Sequence, residues 1–332
     1  LTNATIVNAT RNGVNIDGDG QDSFTLTNVD ITGAGENGIY VNGADNGFID
    51  RSDVTGSTDS GIYFTNNADG TTITDLTVDT SGGNGIELLD RSSGNTVDNV
   101  NITNTTGAGL LNYNADNNQF TDLTITGSGS HGLLGLFTDN ATVYNMNFSG
   151  TKTFNGNGGY GFVMLTNGTA QSLLTLDNAT ANNNALTGFS FQYADSAQTS
   201  GAGLDLSTLI AGGNSVNGIE ILAATNANIS NYDLATAITN GNTNHGLNIT
   251  GLNNSQIGST TGTVSNLTSN ANGNEGLFVN AQNGSTVNMA LTTANIDDSG
   301  DNGAVIQSET TSNMTISLNL SLIHISEPTR RS

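Results

Sequence analysis

The nearest this chain comes to a constellation of carboxylates and a guanidinium is Asp50, Arg51, Asp53 and Asp75. Such a set could move protons or clamp an anionic substrate. Solvated pairing between neighbouring segments explains the same residues more simply, so the expectation is that no catalytic residue is present. The pair Asp297-Asp298 has no basic partner nearby in sequence and does not read as a hydrolytic pair. Asp17, Asp19 and Asp22 sit in a glycine-loosened, oxygen-rich loop, and Asp297, Asp298 and Asp301 form a second such cluster. Calcium needs about six to eight oxygens and neither segment has the full EF-hand spacing, so acidic turns are the simpler reading and bound calcium the alternative. His131 and His245 each stand immediately before a glycine, where they read as surface turn residues rather than as a base or ligand.

The background to these residues excludes several classes. Six Lys and Arg against 29 Asp and Glu give a net charge of −23, which would repel nucleic acid and anionic membranes as direct partners. Without Cys there is neither a disulfide framework nor a Cys-based zinc site, and no apolar run approaches the roughly 18 residues of a membrane span. Gly occupies 43 of 332 positions, Pro one, and charged residues only 11%, against about 25% in ordinary globular chains. Short apolar runs alternate with Asn, Thr, Ser, Gly and Asp, the signature of many short strands separated by turns. The class is all-β. The chain opens in mid-pattern at Leu1-Thr2-Asn3, and residues 320–332 include a stretch (LSLIHISEPTR) that reads like a translated sequencing adapter. The expectation is therefore a fragment: residues 1–319 native, 320–332 foreign.

What positions the side chains is a repeat. A polar residue, Gly, and two apolar residues bracketing a variable one recur as NGVNI at 12–16, NGIYV at 37–41, SGIYF at 60–64, NGIEL at 84–88, NGIEI at 217–221 and EGLFV at 275–279. With weaker copies the anchor glycines are 13, 38, 61, 85, 109, 132, 161, 188, 218, 246, 276 and 303. That spacing predicts about a dozen coils in one solenoid, shorter over 1–150 and longer over 151–319. Between anchors lies a second signature, seen in LTNVDI (26–31), ITDLTV (73–78), VDNVNI (97–102), FTDLTI (120–125) and VYNMNF (143–148). Its apolar residues break strict alternation at an Asn or Asp, residues that tolerate left-handed backbone angles, so a one-residue corner is expected there. Stacking would align Asn28, Arg51, Asp75, Asn99, Asp122, Asn145, Asn178, Asn231 and Asn266 as a hydrogen-bonding ladder, with Arg51 ion-paired to Asp75. Ile39, Ile62, Ile86, Leu110 and Leu133 would form one interior column.

Two outward columns follow. One carries Tyr40, Tyr63, Glu87, Leu111, Leu134, Val163, Ser190, Glu220, Asn248, Phe278 and Val305. Its Tyr40, Tyr63, Leu111, Leu134 and Phe278 are candidates to stack on sugar rings or a partner, unless a loop covers them. The other, Thr32, Thr55, Asp79, Thr103, Thr126 and Ser149 beside Asp30, Asp53, Thr77, Asn101, Thr124 and Asn147, is too irregular for the Thr lattice of an ice-binding face.

These features resemble the right-handed parallel β-helix repeat of pectin-lyase-like proteins and of bacterial surface and autotransporter-passenger proteins, over residues 1 to about 319. The resemblance implies an exported or cell-surface β-helix of a bacterium, structural or adhesive, meeting glycans or cell-surface molecules and adjoining coils of its parent chain. Its alternatives are a polysaccharide lyase or hydrolase of the same fold and, third, an ice-binding or spacer solenoid. A lyase of this group needs a basic residue at its centre. Outside the tail only Arg11, Arg51, Arg91 and Lys152 are available, which favours the adhesive reading.

Overall fold

The computed structural model describes residues 1–18, 23–138 and 142–318. The chain is an all-β, right-handed solenoid of about 11 turns whose sheets are parallel. Its contacts gather into two compact units, Leu1–Phe137 with Tyr144–Gly159, and Thr138–Val143 with Tyr160–Ser332. Asp19 and Asp22 of the expected calcium loop and the tail 320–332 lie outside the described residues.

In the first unit a sheet of short strands stacks Val14–Asp17, Ile39–Asn42, Ile62–Thr65, Ile86–Leu88, Leu110–Tyr113 and Leu133–Phe137. A second sheet stacks longer strands, among them Thr25–Thr32, Thr72–Asp79, Thr96–Thr103 and Asn118–Thr126. The second unit repeats the scheme. Short strands Phe162–Thr166, Phe189–Tyr193, Ile219–Ala223, Leu247–Gly251, Leu277–Ala281 and Ala304–Ser308 form one sheet, and Gln198–Gly212, Asn228–Asn240, Gln256–Asn270 and Thr286–Asp297 dominate the other.

The anchor glycines are required by closeness rather than by backbone angle. A Cβ on Gly61 would lie 2.7 Å from the carbonyl oxygen of Gly85 and 2.3 Å from Val78 Cγ1, so only glycine lets the coil sit this near both its neighbour and its own interior. The same carbonyl accepts from Ile62 N at 2.9 Å. An Asn immediately before an anchor has its own task. Asn12 Oδ1 accepts from Asn37 N at 3.1 Å, Asn37 Oδ1 from Ser60 N at 3.1 Å and Asn84 Oδ1 from Ala108 N at 2.6 Å, so each side chain satisfies the backbone of the next coil. Just beyond the anchors, Ile39, Ile62, Ile86, Leu110 and Leu133 pair in register and are fully buried. The second unit adds an interior ladder, Asn184, Asn214, Asn242 and Asn272, in which each Nδ2 reaches the next Oδ1 at 3.0 Å.

The corners sit where the second signature places them in the earlier coils. Asn28, Arg51, Asp75, Asn99, Asp122 and Asn178 all have φ between 44° and 55°. Asn28 Nδ2 donates to Asn3 Oδ1 at 2.8 Å and Asn99 Nδ2 to Asp75 Oδ1 at 2.5 Å. Arg51 is a correction: its Nε meets Asp50 Oδ2 at 2.8 Å, within its own coil and not on Asp75. Asn145, Asn231 and Asn266 are further corrections. Asn145 bonds Asn117 Oδ1, Asn231 pairs with Thr261 and Asn266 with Thr236.

The slip begins at residues 143–148. Met146 and Phe148 pair with Asn118 and Phe120, ahead of the corner, and Gly150 and Thr151 both stand opposite Asp122. Lys152, Thr153, Phe154 and Asn155 then continue the ladder opposite Leu123, Thr124, Ile125 and Thr126, so Thr153 and Asn155 take the places expected of Asn147 and Ser149. An extra stretch of strand before the corner lengthens the coil, and a lysine in an inward-facing position disguised its continuation. Lys152 is fully buried and donates from Nζ to Gly150 O at 2.8 Å.

Candidate functional site

Asp50, Arg51, Asp53 and Asp75 do not converge. Asp50 is buried and held by Arg51, while Asp53 pairs in register with Asp30 and Thr77, and the exposed Asp75 turns to Asn99. Asp17 spends its two oxygens on Asn15 Nδ2 at 2.5 Å and Asn42 Nδ2 at 3.0 Å. Among the described residues no group of three or more His, Cys, Asp or Glu gathers as metal ligands.

The outward column of the short-strand sheets is where side chains do come together. In the first unit Asn15, Tyr40, Tyr63, Glu87, Leu111 and Leu134 stand one coil apart in unbroken register, all but Asn15 half-buried. Tyr40 and Tyr63 stack with ring centroids 5.5 Å apart and planes 11° from parallel. That separation is close to the roughly 4.8 Å between strands, so the rings lean on each other from successive coils. One face of each ring is thereby used. The opposite face of Tyr40 looks toward Asn15 and that of Tyr63 toward Glu87, and a groove lies at each.

The groove beside Tyr40, about 520 Å³, is lined by Arg11, Asn12, Asn15, Asp17, Glu36 and Asn37. Arg11 is already committed there, its Nε 3.0 Å from Glu36 Oε1. The second groove, about 440 Å³, shares Asn37 and Tyr40 with the first and adds Asp59, Ser60, Tyr63, Gly82, Gly83 and Glu87. Glu87 Oε1 accepts from Ser60 Oγ and, at 2.9 Å, from Asn84 Nδ2, while Oε2 has no protein donor among the described residues. Burial, then the carboxylates of Glu87 and Asp90, push the Tyr63 phenol above its ordinary pKa, so it keeps its proton and can donate at neutral pH.

In the second unit the same column runs Val163, Ser190, Glu220, Asn248, Phe278 and Val305. Val163 and Ser190 are buried. Glu220 is gripped by Ser190 Oγ at 2.9 Å, Asn248 Nδ2 at 3.2 Å and Asn217 Nδ2 at 3.3 Å. Phe278 stacks on His245, centroids 4.5 Å apart at 10°. His245 Nδ1 is buried 2.8 Å from Glu275 Oε2, off the line of a good hydrogen bond, and the two side chains are only 13% and 10% exposed. Burial lowers the imidazole pKa by more than Glu275 and Glu220 raise it. His245 is therefore a partly enclosed ring, stacked on Phe278 and close to Glu275, rather than the surface turn residue expected, and burial likewise lowers the pKa of His131. The missed signal was in the repeat itself: His245 and Glu275 hold the same slot before successive anchors, Gly246 and Gly276, and had to be neighbours.

The fold has relatives among solved structures. A mutant of the periplasmic alginate epimerase AlgG matches at a TM-score of 0.55 and 11% identity, over 89% of this chain and 77% of that one. The A-module of the Azotobacter vinelandii mannuronan C-5 epimerase AlgE4 matches at 0.43 and 15% identity, over 95% and 88%. The catalytic domain of a GH87 alpha-1,3-glucanase in complex with nigerose matches at 0.42 and 12%, over 90% and 49%. At 11% identity the likeness to the AlgG mutant is one of fold. No curated protein matches the sequence. The family described as right handed beta helix region matches residues 1–148 and 60–234, well over half of the sequence, and the chain belongs to that family.

Proposed function

We propose that this chain is the polysaccharide-active part of an exported protein, taking sugar residues against the free faces of Tyr40 and Tyr63 and hydrolysing the chain in the groove beside Glu87. The observation that carries the reading is the Tyr40–Tyr63 stack with a groove at each free face. A pyranose offers an apolar C–H face to an aromatic ring and a rim of hydroxyls to amides and carboxylates, and these grooves are walled by Tyr rings and floored by Asn and acidic side chains. Glycosidic hydrolysis uses two carboxylates, one to protonate the leaving oxygen and one to activate water or attack the sugar. Glu87 and Asp59 line the same groove and are the pair that would serve. This preference for hydrolysis over a purely adhesive face rests on that pair. A lyase is less well supported, because the one basic residue in these grooves, Arg11, is occupied by Glu36. That an alginate epimerase shares the fold supports a polysaccharide as ligand and export as the setting.

The test is release of reducing ends from a polysaccharide panel, with retardation in polysaccharide-containing gels measured in parallel. Turnover that Glu87→Gln removes while retardation persists is the expected result. Retardation without any product would leave an adhesive surface and overturn the hydrolytic reading.

A further inference from the structure

We infer that the substrate of this groove is a neutral polysaccharide rather than a polyuronate, an inference that rests on the glycan-binding reading above. The two grooves carry four carboxylates, from Asp17, Glu36, Asp59 and Glu87, against one guanidinium. That guanidinium is neutralised by Glu36 at 3.0 Å. The surrounding protein deepens the negative field, with a net charge of −23. A uronate at every sugar would meet a carboxylate-lined floor with no free cation to receive it, and like charges held within a few ångströms repel and lose solvation together.

A neutral sugar meets the opposite situation. Carboxylate oxygens only accept hydrogen bonds at neutral pH, and hydroxyl groups are the donors that satisfy them. Glu87 Oε2 has no protein donor among the described residues, and both donors to this carboxylate use Oε1. That oxygen belongs to a carboxylate that lines the same groove as Tyr63, where a stacked sugar ring would present its hydroxyl rim. Tyr63, held protonated, adds a neutral donor to the same groove. The groove thus selects by charge as well as by shape.

Affinity electrophoresis of the whole chain tests this against uncharged glucans, mannans and galactans on one side and polygalacturonate and alginate on the other. The panel is run at low and physiological salt, with and without calcium. The expected result is retardation by at least one neutral polysaccharide and binding to polyuronates weaker by about ten-fold or more at low salt, the gap narrowing as salt screens the groove. Tyr40→Ala and Tyr63→Ala, each checked for an unchanged β-sheet spectrum, weaken the neutral interaction by about ten-fold, the scale of losing an aromatic contact. Glu36→Lys, which frees Arg11 and adds a cation, shifts the preference toward polyuronates. Polyuronate binding equal to or stronger than neutral binding, with or without calcium, and abolished by Tyr40→Ala would overturn the neutral substrate but leave the glycan site. Binding to no polysaccharide would overturn both.

Discussion

Replacing Gly61 by alanine tests whether close approach is what fixes the anchors. Gly61 has an ordinary backbone angle, so alanine is not excluded by conformation. The added Cβ would stand 2.7 Å from the Gly85 carbonyl oxygen, 2.3 Å from Val78 Cγ1 and 3.1 Å from Ser81 Oγ. A carbon and a carbonyl oxygen ordinarily keep about 3.3 Å or more apart, so the next coil has to retreat by roughly 0.6 Å. That carbonyl holds Ile62 N at 2.9 Å, and the retreat stretches the bond. Overpacking costs about 1–3 kcal/mol and a weakened backbone hydrogen bond about 0.5–1.5 kcal/mol, so Gly61→Ala should lose roughly 2–4 kcal/mol. Gly156 in the same unit is the control. Its φ is +65° and nothing lies within 4 Å of a Cβ, so alanine there meets only the left-handed backbone penalty of about 1–2 kcal/mol. Urea denaturation followed by circular dichroism gives both values, and amide exchange at Ile62 locates the loss. Should Gly61→Ala prove as mild as Gly156→Ala, the contact argument is wrong and the glycine serves some other need.

Three further outcomes follow from single sites. Asn214 gives Nδ2 to Ala181 O at 2.9 Å and to Asn242 Oδ1 at 3.0 Å, and accepts from Asn184 N at 3.0 Å; Asn214→Ala should cost about 2–4 kcal/mol in urea titration by orphaning buried groups on both neighbouring coils. Hydrogen bonds from Thr103, Asn104 and Thr80 lower the pKa of Asp79. Its contribution is therefore present above the unfolded carboxylate value near pH 3.9 and lost as pH falls through the lower folded value; Asp79→Asn should flatten that part of the acid-denaturation profile, and an unchanged profile would count against it. For His245, burial lowers the folded pKa, so its contribution is present above the unfolded value near pH 6.5 and lost as pH falls through the folded one. Glu275→Gln removes a carboxylate that raises that pKa, and an NMR titration should show the imidazole protonating at still lower pH.

The repeat was legible because each of its features has a local cause. NGIYV and SGIYF declare the anchor, the interior pair and the outward Tyr in five residues, and Asn28, Asp75, Asn99 and Asp122 declare a left-handed corner because few other residues accept one. Reading failed where coil length changed. Nothing in VYNMNF distinguishes strand before a corner from strand after it, and the burial of Lys152 runs against the usual rule for lysine. The Tyr40–Tyr63 contact followed from register alone. The grooves did not, because residues such as Glu36 and Asp59 reach them from turns whose path no periodicity specifies. Arg51 shows the same limit: its position was fixed by the repeat, its partner by a side-chain rotamer.

The two kinds of sheet absorb added residues very differently. In the second unit the long strands reach 12 to 15 residues and pair with register shifts, as between Ser172 and Leu174 or Ile257 and Thr263. The short strands beside them keep five residues and pair one for one without a slip, Phe189 to Ile219 and Leu247 to Leu277 alike. Insertions are thus shunted away from one side of these coils, whose outward positions remain a ruler with a constant tick of one strand spacing. A ligand built of repeating units meets that ruler unchanged whatever the length of the coil behind it, so such a protein can grow or remodel its far side while the pitch of its contact face stays fixed.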